Sequence, residues 1–208
     1  MLASCGGVPA YAPQTYTVRP HDTLYSIAWR HDLDYHELAR WNRIGPDYRI
    51  EVGQVLVLRP GTPSGASSPR PAVPQAPPPP AGEPASAPAS AWVWPTAHTT
   101  APRPVPGGGI LLLGQLGQPI RAAAAGRVVY LGSGLRGYGN LIIIKHGDDL
   151  LSAYAHTLDP TVREGQQVSA GEQIARMGAG AHRIPALYFE IRLAGRPVDP
   201  LSYLPAIK

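Results

Sequence analysis

NLIIIKHGDDLLSAYAH, residues 140–156, is the stretch that decides how the second half of this chain folds. The unbroken apolar run from Leu141 to Ile144 predicts a central strand covered on both faces, because a half-exposed strand alternates apolar and polar residues. The glycine and two aspartates that follow predict a tight turn into an antiparallel partner strand. The sequence therefore indicates a β-hairpin at the centre of a sheet.

Short β-type segments lie on both sides of this hairpin. QPIRAAAAGRVVYLGSG precedes it, and EGQQVSAGEQIARMG and LYFEIRLAGRPVDP follow it. Glycine or aspartate interrupts these segments roughly every 8–12 residues, a spacing typical of antiparallel sheets rather than of alternating strands and helices. We expect residues 91–208 to form a mainly antiparallel β domain.

Residues 16–60 carry a different pattern, with a β-type segment at each end and two helical patterns between them. In the first helical pattern, Leu24 and Ile27 recur at helical spacing after Asp22 or Thr23 as the capping residue. The order strand, helix, helix, strand predicts a small sheet covered by two helices. Its expected core residues are Leu24, Ile27, Leu38, Val55 and Val57.

The two modules are separated by residues 61–90, which are rich in proline, alanine and serine and contain no aromatic residue. Such a segment cannot bury enough apolar surface to offset its ordering entropy, so we expect a disordered, partly polyproline II linker. The net charge of the chain is only +4, and no Lys/Arg cluster with interleaved aromatic residues occurs. No nucleic-acid partner is therefore expected.

The N-terminal segment, residues 1–15, contains the one cysteine of the chain, so no intramolecular disulfide is possible. Leu2-Ala3-Ser4-Cys5 matches the lipobox at which bacterial lipoproteins are cleaved and acylated. A lipobox ordinarily follows a basic and then an apolar region, so either the chain starts late relative to its gene or the match is accidental. The lipoprotein interpretation predicts a lipid on Cys5 and an outer-membrane anchor.

Three segments of residues 16–60 resemble the LysM domain in order and spacing: YTVRPHDTLYSIA, LARWNRI and IEVGQVLVL. The resemblance implies a small α+β module of order βααβ that binds N-acetylglucosamine-containing glycans such as peptidoglycan. The sugar would lie between the loop after the first strand and the loop before the last. The glycan-binding candidates on these loops are His21, Asp22, Thr23, Leu24, Asn42, Ile44, Gly45, Pro46 and Asp47.

The β-type segments of residues 107–205 resemble the LytM, or lysostaphin-like, zinc endopeptidase domain, a duplicated hybrid motif. The resemblance rests on AAAAGRVVYLGSGLRGYGNLIIIKHGDDLLSAYAH, VREGQQVSAGEQIARMG and YFEIRLAGRPVDPLSYLP. Within this family, the chain strongly resembles the NlpD-type murein hydrolase activators. Those proteins have the same order of segments as this chain: lipobox, LysM domain, linker and LytM domain.

The enzymes of that family hold a zinc ion with a His and an Asp of HxGxD and the second His of HLHFE. A catalytic zinc needs three such ligands and keeps one position for water. In this chain Gly107, Leu111 and Tyr188 stand at the ligand positions, and Ala186 replaces the remaining catalytic-site histidine. Glycine and leucine carry no side-chain donor and a neutral tyrosine is a poor ligand, so no zinc, no cofactor and no catalysis are expected.

The resemblance therefore implies a non-enzymatic regulator at the periplasmic face of the outer membrane of a Gram-negative bacterium. It would bind peptidoglycan and activate an N-acetylmuramoyl-L-alanine amidase during septal cell-wall splitting. One alternative is an active zinc murein endopeptidase, with a site rebuilt from a histidine such as His182. Another is a purely structural peptidoglycan-binding lipoprotein. The expected partner-binding residues are Tyr138, Tyr154, His156, Tyr188, Glu190 and Arg192.

Overall fold

The structure is a computed structural model that describes residues 14–59, 92–97, 100–147, 149–180 and 183–206. Cys5, the linker 61–90 and His182 lie outside the described residues. The lipid on Cys5 and the disorder of the linker therefore remain predictions, and a zinc site rebuilt with His182 remains the alternative to the prediction of no zinc.

The first module has the predicted element order. Its elements are β1 (Gln14–Thr17), α1 (Leu24–Arg30), α2 (Tyr35–Asn42) and β2 (Val55–Arg59). Thr23 begins α1 with a capping box: its side chain accepts from the Ser26 backbone N–H at 3.1 Å, and its own N–H donates to the Ser26 hydroxyl at 3.0 Å. No helix in the described part of the chain is long and apolar enough to cross a membrane.

The core prediction for β2 was wrong by one position. Leu56 and Leu58 are buried, whereas Val55 is 59% exposed. Successive side chains of a strand point to opposite faces, and both sets in VLVLR are apolar, so alternation alone could not choose between them. The set that faces the helices is the larger leucine pair.

The second module is built from two antiparallel sheets. One has eight strands in the order β10-β6-β7-β8-β12-β4-β3, with β13 pairing beside β4 on the same edge of β12, and the other has the order β5-β11-β9. The strands are β3 (Arg103–Pro104), β4 (Ile110–Leu113), β5 (Pro119–Arg121), β6 (Gly126–Gly132), β7 (Leu141–His146), β8 (Leu150–Ala155), β9 (Thr157–Leu158), β10 (Gln167–Val168), β11 (Gln173–Met177), β12 (Ala186–Leu193) and β13 (Arg196–Val198).

The central strand β7 is covered on both faces, which confirms the prediction from its apolar run. Ile142 and Ile144 pack into the core that lies on one side of the large sheet. Leu141 and Ile143 point the other way and pack with side chains of the LysM-like module. All four residues are fully buried. The first module thus covers the second face of β7, a contact that no pattern in the sequence indicates.

Gly195 shows how closely the two modules approach each other. It has φ +74° in the turn between β12 and β13, and a Cβ there would lie 2.6 Å from the backbone of Leu33. Both its left-handed backbone and its close contact therefore favour glycine. The apolar cluster that joins the modules includes Trp29, Leu135 and Leu151.

A buried polar network lies beneath the large sheet and involves His146, Ser152 and Tyr154. His146 Nε2 is 2.6 Å from the Ser152 hydroxyl, which is 2.9 Å from the Tyr154 hydroxyl. The other ring nitrogen lies 2.8 Å from the Ala125 carbonyl, which can only accept, so Nδ1 carries the proton of the neutral ring. Burial lowers the pKa of His146 from 6.5 to about 4, although the bond to Ala125 opposes the shift.

His146 is expected to make the fold sensitive to acid. Because its pKa is lower in the folded state, the unfolded chain binds more protons between pH 6.5 and 4, and stability falls as the pH falls through that window. A pKa lowering of this size corresponds to a loss of roughly 3 kcal/mol in the free energy of unfolding. Urea unfolding at pH 7 and 4.5 should show that the free energy of unfolding falls less on acidification in His146→Gln than in the unchanged chain. The exposed His21→Gln is the matched control, and an unchanged pH dependence in His146→Gln would contradict the prediction.

Candidate functional site

A groove of about 500 Å³ lies where β4 and β12 meet the loops after β8 and β11. Most of its lining is apolar or aromatic. The lining residues are Arg103, Val105, Leu111, Leu113, Gly137, Tyr138, His156, Gly180, Ile184, Ala186 and Tyr188. Of the six predicted partner-binding residues, the structure places Tyr138, His156 and Tyr188 here.

The pairing of β4 with β12 brings together two of the three positions that the resemblance aligned with zinc ligands. Leu111 is the cross-strand partner of Tyr188, and Leu113 is the partner of Ala186. The Tyr188 ring occupies the space beside Gly109, where a Cβ would lie 2.5 Å from the ring. Gly107 is exposed in the turn before β4 and does not line the groove.

Tyr188 is held in a neutral, hydrogen-bonded state on the groove floor. Its hydroxyl donates to Glu190 Oε2 at 2.6 Å, and its ring meets Tyr138 edge-on at 5.6 Å between centroids. Burial raises the pKa of Tyr188 above its ordinary value, and the bond to Glu190 raises it further. The phenolate form that a metal ion would require is therefore disfavoured.

Among the residues that line this groove, His156 is the one whose side-chain nitrogen suits a zinc ion, because the Arg103 guanidinium stays protonated. Its backbone is left-handed, with φ +61°, and is fixed by bonds to Tyr138 O and from Gly178 N. Burial lowers the pKa of His156, so the ring is neutral near pH 7. Leucine and alanine beside it offer no ligand atom, so the donor set does not fit a catalytic zinc. In the described ranges, no group of three His, Cys, Asp or Glu side chains could hold a metal ion.

Tyr154, Glu190 and Arg192 were predicted to contact a partner, but the structure places them away from the groove surface. Tyr154 is fully buried, with its hydroxyl accepting from the Ala123 backbone N–H at 2.8 Å. Glu190 and Arg192 are 1% and 4% exposed, and Arg192 lies against the LysM-like module. β12 begins at the groove and continues beneath the first module, so its later residues face that module instead of the groove.

Three apolar residues on the groove wall were not among the predicted site residues: Val105, Leu113 and Ile184. One signal for Leu113 was present in ILLL, residues 110–113. Alternate residues of this run, Ile110 and Leu112, fill the core, so the other two place an apolar face on the groove side.

The glycan-binding candidates of the first module divide into two groups. Asp22, Thr23, Leu24 and Asn42 have structural contacts: for example, Asn42 bonds both the Val57 N–H and the Val57 carbonyl and so ties α2 to β2. Leu24 is fully buried. Ile44 is half-buried, and the exposed candidates are His21, Gly45, Pro46 and Asp47.

Comparisons with known proteins agree with both resemblances. Residues 16–59 match the LysM domain, and residues 106–200 match peptidase family M23. The chain is 46% identical to the lipoprotein NlpD/LppB homolog of Pseudomonas aeruginosa, over 96% of this chain and 82% of that one. It is 39% identical to the murein hydrolase activator NlpD of Salmonella typhimurium, over 92% of this chain and 68% of that one.

A crystal structure from Pseudomonas aeruginosa assigned to peptidase M23 has the same fold in its matching part. The TM-score is 0.52 at 28% sequence identity, covering 57% of this chain and 52% of the other. The antiparallel fold predicted for the second module is therefore confirmed.

Proposed function

The chain belongs to the NlpD/LppB family of LysM- and M23-domain lipoproteins, and we propose that it is a non-catalytic regulator of cell-wall cleavage. The LysM domain binds peptidoglycan. The M23-type domain binds and activates an N-acetylmuramoyl-L-alanine amidase during septal cell-wall splitting. The name of the Salmonella typhimurium relative, a murein hydrolase activator, supports this proposal.

The observation that carries the proposal is the composition of the groove. At the positions aligned with two of the zinc ligands and with the catalytic histidine of M23 enzymes, this groove has Leu111, Tyr188 and Ala186, and the tyrosine hydroxyl donates a hydrogen bond to Glu190. A surface of that kind cannot activate water through a metal ion, but it suits an apolar segment of a partner protein. Ile184, 51% exposed on the rim, is the side chain best placed to meet such a segment.

Activation follows if the groove binds a segment that the amidase presents only in its open state. A partner with higher affinity for one conformation shifts the population toward it by that difference in affinity. In this mechanism the groove binds the amidase and does not itself catalyse a reaction. Arg103, on the groove edge, would pair with an acidic residue beside the apolar segment.

Dye release from labelled peptidoglycan tests the proposal. The chain alone is expected to release no dye, whereas adding it to a cognate amidase should raise release by about tenfold, the size of a modest population shift. No stimulation would favour a structural lipoprotein. Release by the chain alone, together with one zinc per chain in the purified protein, would establish the endopeptidase instead.

The site of action follows from the anchor. A lipid on Cys5 would hold the chain at the periplasmic face of the outer membrane, in keeping with the lipoprotein names of its relatives. Cys5→Ala should then move the chain from the membrane fraction to the soluble fraction after cell lysis. An unchanged distribution would contradict the anchor.

A further inference from the structure

A second cavity, the interdomain crevice, lies between the LysM domain and the edge of the large sheet. Its volume is about 560 Å³. The LysM side contributes part of the loop that the sequence assigned to glycan binding. The lining residues are Tyr25, Pro46, Asp47 and Tyr48 from the LysM domain, and Gly126, Arg127, Val129, Lys145, Gly147 and Gln167 from the M23-type domain.

The M23-type wall carries a row of polar side chains across three strands. Arg127 on β6 is the direct partner of Gln167 on β10 and of Lys145 on β7. Arg127 and Lys145 therefore lie side by side on this wall and place two positive charges on the crevice. Neighbouring cations of this kind attract an anion.

The LysM wall is aromatic. Tyr25 and Tyr48 meet edge-on with 5.7 Å between ring centroids, and both are half-buried. Tyr48 has φ +53°, a backbone conformation that bulky residues rarely adopt, and its hydroxyl is held 2.9 Å from His36 Nδ1. Tyrosine faces of this kind suit the apolar face of a sugar ring.

The two walls line one cavity, so a single ligand can contact both. Burial raises the pKa of Tyr25 to about 12, the neighbouring Tyr48 adds to the rise, and the positive charge of Arg127 opposes it. The LysM wall also carries one carboxylate, Asp47. With Arg127 and Lys145 opposite, cations outnumber carboxylates among the lining residues.

We propose that the interdomain crevice extends the LysM glycan site and binds the carboxylates of a peptide-bearing glycan strand through Arg127 and Lys145. This inference rests on the proposed glycan binding of the LysM domain. One strand would place a sugar ring against Tyr25 and Tyr48 and the acidic substituent of the next sugar on the M23-type wall. The glycan would then contact both domains at once.

Two oligosaccharides of equal length separate the contributions of the two walls. The neutral probe is the tetramer of N-acetylglucosamine, and the anionic probe is a peptidoglycan tetrasaccharide that carries its stem peptides. Calorimetric titration of the full chain should show tighter binding of the anionic probe. In the double variant Arg127→Gln, Lys145→Gln, affinity for the anionic probe should fall about tenfold, while affinity for the neutral probe stays unchanged.

The control double variant Arg121→Gln, Arg176→Gln removes the same charge from exposed positions on the three-stranded sheet. It should keep the preference for the anionic probe, and high salt should weaken that preference in the unchanged chain. Equal affinities of the unchanged chain for both probes would overturn the crevice proposal and leave LysM glycan binding intact. Failure of the unchanged chain to bind either probe would overturn both proposals. Thermal unfolding checks that each variant is folded.

Discussion

Replacing Arg192 with methionine is expected to lower the free energy of unfolding by about 3–5 kcal/mol, the range for breaking a buried ion pair. Arg192 Nε donates to Glu190 Oε1 at 2.7 Å, and the two residues are 4% and 1% exposed. The guanidinium also stacks 3.9 Å above the Trp29 ring and bonds the Trp29 carbonyl at 3.1 Å. The substitution leaves the Glu190 carboxylate buried without its cation and removes a contact between the domains.

Urea unfolding gives the measurement, and a second substitution identifies the cause. Adding Glu190→Gln to Arg192→Met removes the unpaired charge, so the double variant should recover much of the lost stability. Arg196→Met, in the same hairpin but exposed, should change stability by less than about 0.5 kcal/mol. A loss below about 1 kcal/mol in Arg192→Met would mean that the buried pair does not stabilise the fold.

Arg192 also shows what the sequence could not reveal about the fold. Alternation along β12 correctly separates Leu187, Phe189 and Ile191 from the opposite face, and the first set fills the core. The opposite face, however, passes from the groove to the LysM contact within four residues. Tyr188 lines the groove, whereas Arg192 lies under Trp29. The direction of a strand side chain follows from local geometry. The contact of Arg192 with Trp29, 163 residues away in sequence, depends instead on how the two domains pack.

The groove itself was easier to predict, because the aligned motif positions are cross-strand neighbours. The motif alignment assigned Leu111 and Tyr188 to ligand positions, and the antiparallel register makes them cross-strand partners in the groove. Gly107, the third aligned position, does not line the groove. Ile184 was missed for a physical reason. It lies in a loop before β12, and the side chains of a loop follow no periodic pattern from which their direction could be predicted.

Ile184→Asp is expected to weaken binding to the amidase by about thirtyfold, and so to remove most of its stimulation at limiting concentration, while leaving the fold intact. Ile184 is 51% exposed on the rim of the groove, so the aspartate meets solvent in the free chain and causes little strain. In the complex the same carboxylate would face an apolar segment without a partner. Loss of one apolar anchor contact alone corresponds to about 2 kcal/mol of binding free energy, and the buried charge adds to that loss.

Leu116→Asp is the matched control for this variant, because Leu116 is 62% exposed in the same domain and does not line the groove. Both variants should melt within a few degrees of the unchanged chain, but only Ile184→Asp should lose dye release in the amidase mixture. Direct titration with the amidase should show a matching loss of affinity, since activation and binding share one surface in this mechanism. Full stimulation by Ile184→Asp would place the activating contact elsewhere. Equal loss in Leu116→Asp would point to a general effect of charge, because only a local contact can distinguish two exposed apolar positions of one domain.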